Sequence, residues 1–303
     1  MKSMKRGPSR AGLLHQQSSQ GLAQTLALWQ RQRPFQQRVL LKKMGMPRSL
    51  YKYRAIPTAD NLVGRARLED FVLNNRLWLG TVSAFNDPFE GRADYVVPYR
   101  GAELRQALER KFRELGFSNQ DAKLKVNSAD VADPTRIEER ARQGNLRLLE
   151  TVGVCALGTN ATSPLLWAHY AHDHTGICVQ LRPVMDLAAL IAHPVEYSNT
   201  YPILSDVLEP AESRQVLPIM RKSSDWAYEE EWRIVALDEP NTHRPFAPQA
   251  MAAVILGMRI SAADKAYVLA MMDERERRYG ARPIVYAAMA AKRRYRVEIR
   301  RLR

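Results

Sequence analysis

No stretch of this chain approaches the ~18 unbroken apolar residues that a membrane helix needs. The nearest candidate, Met251 to Gly257 (MAAVILG), is the size of a strand, and VGVCALG at 152–158 and GICVQL at 176–181 are of the same kind. Pieces of this length are buried as strands of a sheet covered by amphipathic helices. With 46% hydrophobic and 26% charged residues over 303 positions, the composition is that of a soluble globular protein with a core. The cysteines, Cys155 and Cys178, both sit in apolar runs. Two thiols make neither a disulfide framework nor a four-thiolate metal site, so they read as core residues in a reducing compartment, the cytoplasm.

The net charge of +14 is unevenly placed: residues 1–46 hold nine Lys or Arg and no Asp or Glu, leaving +5 for the remainder. This segment is also rich in Gln and Ser, which suits a disordered arm appended to a single domain over 47–303. Three readings stay open: a nucleic-acid tether, an Arg-rich transit peptide, or a segment upstream of a start at Met44 or Met46.

From Leu50 onward, strand and helix patterns intermix without a βαβα rhythm or a fixed repeat. LYKYRAI reads as a strand with Tyr51 and Tyr53 on one face and Lys52 and Arg54 on the other. A helix follows, then the strand RLWLGT and a loop, SAFNDPFEG, that carries Asn86 and Asp87. Helices are expected over 101–116 and 134–150, with a polar connection between them. Ser163 and Pro164 open another helix that Gly176 closes. A helix over 184–192 and one near 211–221 lead to the strand RIVAL, and a long helix runs from Ala262 to Tyr279. The fold class is α+β, with a mixed, mostly antiparallel sheet core and packed helices.

The sharpest chemical feature is KSSDWAYEEEWRIVAL at 222–237. In an extended chain Glu229 and Glu231 share a face and Glu230 takes the other. Like charges on one face raise each other's pKa unless a cation intervenes, and Arg233 follows on that face. A salt-bridge ladder with Arg233 and Lys222 is the structural alternative. In WAHYAHDH, Trp167 and Tyr170 lie on one helical face. His169 and His172 are a weak match to metal-ligand spacing, and His174 is suited to the helix terminus. No phosphate-cradling glycine loop, dinucleotide fingerprint or nucleophile elbow is present.

Taken in order, LYKYR, RLWLGTVSAFNDPFEG, LLWAHYAHDHTGICV, KSSDWAYEEEWRIV and AVILGMRIS resemble the bacterial domain-of-unknown-function family 2971, over about Leu50 to the C-terminus. The resemblance implies an ADP-ribosyltransferase-like layout: polar residues on an early strand, an aromatic ring in the middle, a glutamate on a late strand. NAD is then the co-substrate and a macromolecule the acceptor, in a toxin or phage-defence setting. Glu229 or Glu231 is the implied catalytic carboxylate, Lys52 and Arg54 the phosphate contacts, and Tyr51, Trp167 and Tyr170 the positions of the early strand and the stacking ring. Asn86 and Asp87 line the cleft, and His174 and Arg233 organise it. No Arg-Ser-Glu or His-Tyr-Glu set is present. Two other classes compete: a non-catalytic nucleic-acid or protein-binding module working through residues 1–46, and a metal-dependent hydrolase using His169, His172 and an acidic partner.

Overall fold

The computed structural model describes residues 34–128, 133–205, 207 and 211–302. Its strands are β1 (Leu50–Arg54), β2 (Arg76–Leu79), β3 (Asp94–Tyr95), β4 (Val152–Gly158), β5 (Ile177–Leu181), β6 (His193–Pro194), β7 (Glu196–Tyr197), β8 (Ile203–Leu204), β9 (Arg221–Lys222), β10 (Glu231–Leu237), β11 (Thr242–Pro245), β12 (Met251–Leu256), β13 (Ile284–Ala290) and β14 (Val297–Arg301). The helices are α1 (Pro34–Lys43), α2 (Leu62–Val72), α3 (Gly101–Glu114), α4 (Asn119–Ser128), α5 (Pro134–Leu149), α6 (Pro164–Tyr170), α7 (Leu187–Leu190), α8 (Ala211–Ile219) and α9 (Ala262–Tyr279).

Among the described residues, eight strands make one sheet in the order β14-β13-β12-β5-β1-β4-β10-β6. Neighbours are antiparallel except β12 and β13, the pair that α9 connects. The chain is therefore mixed α/β with a large, mostly antiparallel sheet. One face buries Leu50, Val179, Val254 and Ile234 against Leu68, Phe71 and Val72 of α2 and Val268 and Met272 of α9. The other carries Tyr53, Cys178, Ile255 and Val297 beneath Leu166 and Trp167 of α6. Side-chain caps start the covering helices: Asn61 accepts from Gly64 N–H, Ser163 from Leu166 N–H and Ser261 from Asp264 N–H. Each satisfies an orphan donor of a first turn.

Several expectations are corrected. α1 lies within residues assigned to the arm, and Leu41 and Met46 are buried in the core, so the packed domain includes residues before 47. Residues 1–33 of that arm lie outside the described residues. The connection expected before Pro134 contains α4, and the helix expected over 184–192 is a 3-10 turn followed by the short α7. α6 ends at Tyr170, and His172, Asp173 and His174 follow at positive φ. Gly176 serves close approach and not helix termination, because a Cβ there would stand 2.2 Å from the Arg54 carbonyl oxygen.

The sheet is interrupted at its centre. β1 pairs with β5 along all its residues, Leu50 to Arg54, but meets β4 only at Tyr51 and Gly158. Beyond that pair the two strands separate, and Lys52 Nζ donates to the Ala156 carbonyl at 2.6 Å, a side chain standing where a ladder would continue.

Candidate functional site

The gap between β1 and β4 opens into a cavity of about 470 Å³. Tyr51, Tyr53, Trp78, Phe85 and Tyr170 give it aromatic walls, and Lys52, Arg54, Glu229 and Glu231 give it charge. Tyrosines from one face of β1 and cations from the other line the same cavity because the unpaired stretch leaves room for both.

Its acidic end rests on five charges. Lys222 Nζ lies 2.6 Å from Glu229, 3.0 Å from Glu231 and 3.4 Å from Glu90. Arg233 clamps Glu231 at 2.7 Å and Glu90 at 2.8 Å. All five side chains are almost wholly buried. Three carboxylates face two cations, so the network carries a surplus negative charge if fully ionised. Glu229 is the least compensated carboxylate, since Arg233 bonds the other two. Its second oxygen accepts a hydrogen bond from the Tyr170 hydroxyl at 2.6 Å.

The environments push the two cleft carboxylates apart. Burial raises the pKa of Glu229, and Glu231 adds to the rise, against the opposing pull of Lys222 and Tyr170. Burial also disfavours the ionised Glu231, but Arg233 and Lys222 outweigh it and hold that group down to about 2. Glu231 is thus a permanent anion, whereas Glu229 can exchange a proton, the pattern that separates acid and base roles in a carboxylate pair. Attraction to Glu231 and Glu229 exceeds the burial of Lys222 and keeps its ammonium charged.

The two cations of β1 are different. Burial lowers the pKa of both Lys52 and Arg54. No described carboxylate is within ion-pair distance of either, and the Arg54 guanidinium has no hydrogen-bond partner among the described residues. Two half-buried cations without an ion-pair partner form a prepared anion site, because a ligand anion would replace the hydration that folding removed.

Of the residues expected in the site, the fold brings Tyr51, Lys52, Arg54, Asn86, Tyr170, Glu229 and Glu231 to one cavity. Glu229 is not strand-borne. It ends the 3-10 turn Ser224–Glu229, Glu230 is left-handed, and the Glu231 N–H donates to the Tyr197 hydroxyl at 2.8 Å. Trp167 cannot stack on a ligand, since it is fully buried against Tyr53 and its indole N–H donates to the Ala161 carbonyl. Asp87 is buried in its own turn, accepting from Phe89 N–H, and does not reach the cavity. His174 stacks on Trp167 away from the cavity, and Arg233 acts through its bonds to Glu231 and Glu90. Sequence reasoning gave Glu90 no role, although it lies in SAFNDPFEG, and placed Lys222 only in a salt-bridge ladder with Arg233.

His169 lines the cavity, whereas His172 belongs to the turn after α6. Among the described residues no three His, Cys, Asp or Glu side chains converge as a metal site. No described helix is long and apolar enough to cross a membrane. No family model, curated protein or solved structure matches the chain.

Proposed function

We propose that the chain acts on NAD, as an ADP-ribosyltransferase or NAD glycohydrolase, in the cleft between β1 and β4. The observation that carries this reading is the cavity's lining: Lys52 and Arg54, neither in an ion pair with a described carboxylate, share it with Glu229 of the surplus-negative network. A pyrophosphate ester linked to a ribosyl–nicotinamide bond complements both kinds of group. The interrupted sheet, with polar residues on an early strand and a glutamate before a late one, supports the ADP-ribosyltransferase-like layout that the motifs imply.

In this mechanism the pyrophosphate sits on Lys52 and Arg54, and an exposed part of the aromatic wall flanks the nicotinamide. The C1′–N bond breaks, nicotinamide leaves with the bonding pair, and the ionised Glu229 stabilises the ribosyl cation that develops. Water or an acceptor hydroxyl then bonds to C1′ and gives its proton to Glu229, which releases it to solvent. Glu231, fixed by Arg233, holds Lys222 against Glu229 and so positions the reacting carboxylate.

The test is nicotinamide release from NAD by purified protein, alone and with cell extract or nucleic acid as acceptor. Glu229→Gln should lose roughly 10²-fold or more, and Glu230→Gln, at an exposed position outside the cavity, should not. Absence of turnover under every acceptor condition, or wild-type turnover in Glu229→Gln, defeats the reading.

A further inference from the structure

The far edge of the sheet carries a feature that the cleft does not use. β13 and β14 form a hairpin in which Ala290 faces Val297, closed by the Ala291 N–H donating to the Arg296 carbonyl at 2.9 Å. Its tip presents Lys292, Arg293, Arg294, Tyr295 and Arg296, all exposed, and the relative exposure of Tyr295 is 107%. Residues 292–302 hold six Lys or Arg and one acid, Glu298. That glutamate pairs with Arg300 at 3.6 Å, and none of the other five cations has a carboxylate partner among the described residues.

A run of like charge is ordinarily only solvated surface. Two facts set this one apart. The cations sit in the tight turn of a hairpin at the sheet edge, whose ends are held by the Ala290–Val297 pair and by the Ala291–Arg296 and Arg296–Arg294 backbone bonds, so they stay clustered. A tyrosine ring that touches nothing in the fold stands among them, although burying it would have been favourable by about 1.5–3 kcal/mol, as for other large apolar side chains. Fixed cations beside an open ring supply the phosphate contacts and the stacking surface that unpaired nucleotides require.

We propose that the β13–β14 hairpin is a docking site for single-stranded nucleic acid, with Lys292, Arg293, Arg294 and Arg296 on the phosphates and a base stacked on Tyr295. The hairpin tip lies at the same end of the strands as Arg54, since Leu256 faces both Ile177 and Ala287 and Ile177 faces Arg54. β14 stands four strand spacings from β1, roughly 19 Å across the sheet. The site is separate from the cleft, and the proposal does not depend on the chemistry there.

Fluorescence anisotropy of the full chain with labelled dT and U oligomers of about 16 nucleotides tests it across ~50–200 mM salt. Reversing Lys292, Arg293, Arg294 and Arg296 to Glu should weaken binding at least tenfold, and the log–log salt slope should fall by about 0.7 for each phosphate no longer neutralised. Tyr295→Ala should weaken it roughly 5- to 100-fold at unchanged slope. Both variants should melt like wild type, because the altered side chains are exposed. Binding unaltered in both variants assigns affinity to another surface, such as residues 1–33, and overturns the proposal. So does the absence of oligomer binding, or binding to phosphatidylserine vesicles in its place.

Discussion

The Tyr170 hydroxyl and the Lys222 ammonium hold the two oxygens of one carboxylate, Glu229, each at 2.6 Å. Both donors favour its ionised form while burial disfavours it, and burial prevails. If turnover needs ionised Glu229, the rate rises with pH through a limb above the ordinary glutamate range. Tyr170→Phe removes one of the two stabilising donors, so the pKa of Glu229 rises further and the limb moves to higher pH. A pH profile of kcat/KM for nicotinamide release decides it; a limb that stays in place or moves toward acid refutes the role given to this pair.

Lys222 is the shared counter-ion of Glu90, Glu229 and Glu231. Lys222→Met leaves Glu90 and Glu231 on Arg233 and Glu229 with no cation, and breaking a buried pair in this way costs about 3–5 kcal/mol. Adding Glu229→Gln removes the carboxylate that Arg233 does not reach, so the double variant should recover a large part of the loss. Thermal or urea unfolding of the three proteins measures this, and strictly additive losses would show that the two residues are not coupled.

Acid stability follows from Glu231. Its folded pKa lies below the unfolded value, so its contribution is present above the ordinary glutamate value of 4.5 and disappears as pH falls toward about 2. The difference corresponds to about 3 kcal/mol. Glu229 acts oppositely: its raised pKa means that stability falls as pH rises through it. Urea unfolding in acid steps should show the Glu231 loss in the wild type and its absence in Glu231→Gln, which starts lower at neutral pH.

Local features were the legible part of this molecule. Ser163 with Pro164 and the pattern of Ala262–Tyr279 set helices through short-range bonds and periodicity, and the structure has those elements where the pattern puts them. Alternation in LYKYR gave the two faces of β1 but no register against β4, so the opening between these strands was invisible. Glu90 reaches Arg233 across 143 positions, a separation that no local signal spans. The left-handed Glu230 depends on Tyr197 holding the Glu231 N–H, and three identical glutamates do not announce it. Trp167 and Tyr170 share a helical stripe, but only the Tyr170 end reaches the cavity.

A buried cation without a carboxylate is a cost to the folded chain unless a ligand supplies the anion. Half-buried Lys52 is partly in that position: desolvation depresses its pKa, and in the free protein its bond to the Ala156 carbonyl and the more distant charge of Glu231 are its compensation. Lys52→Met keeps most of the side-chain volume and removes the charge. It should leave the melting temperature of the free protein unchanged or raise it by a few degrees, as substitutions that remove a functional group kept at a cost to stability commonly do. The same variant should raise KM for NAD tenfold or more while lowering kcat less, because the anion contact is made in both ground and transition states. NAD should also stabilise the wild type in a thermal shift assay and the variant far less. A destabilised variant with unchanged KM would mean that Lys52 is a strut between β1 and β4 and that the anion binds elsewhere.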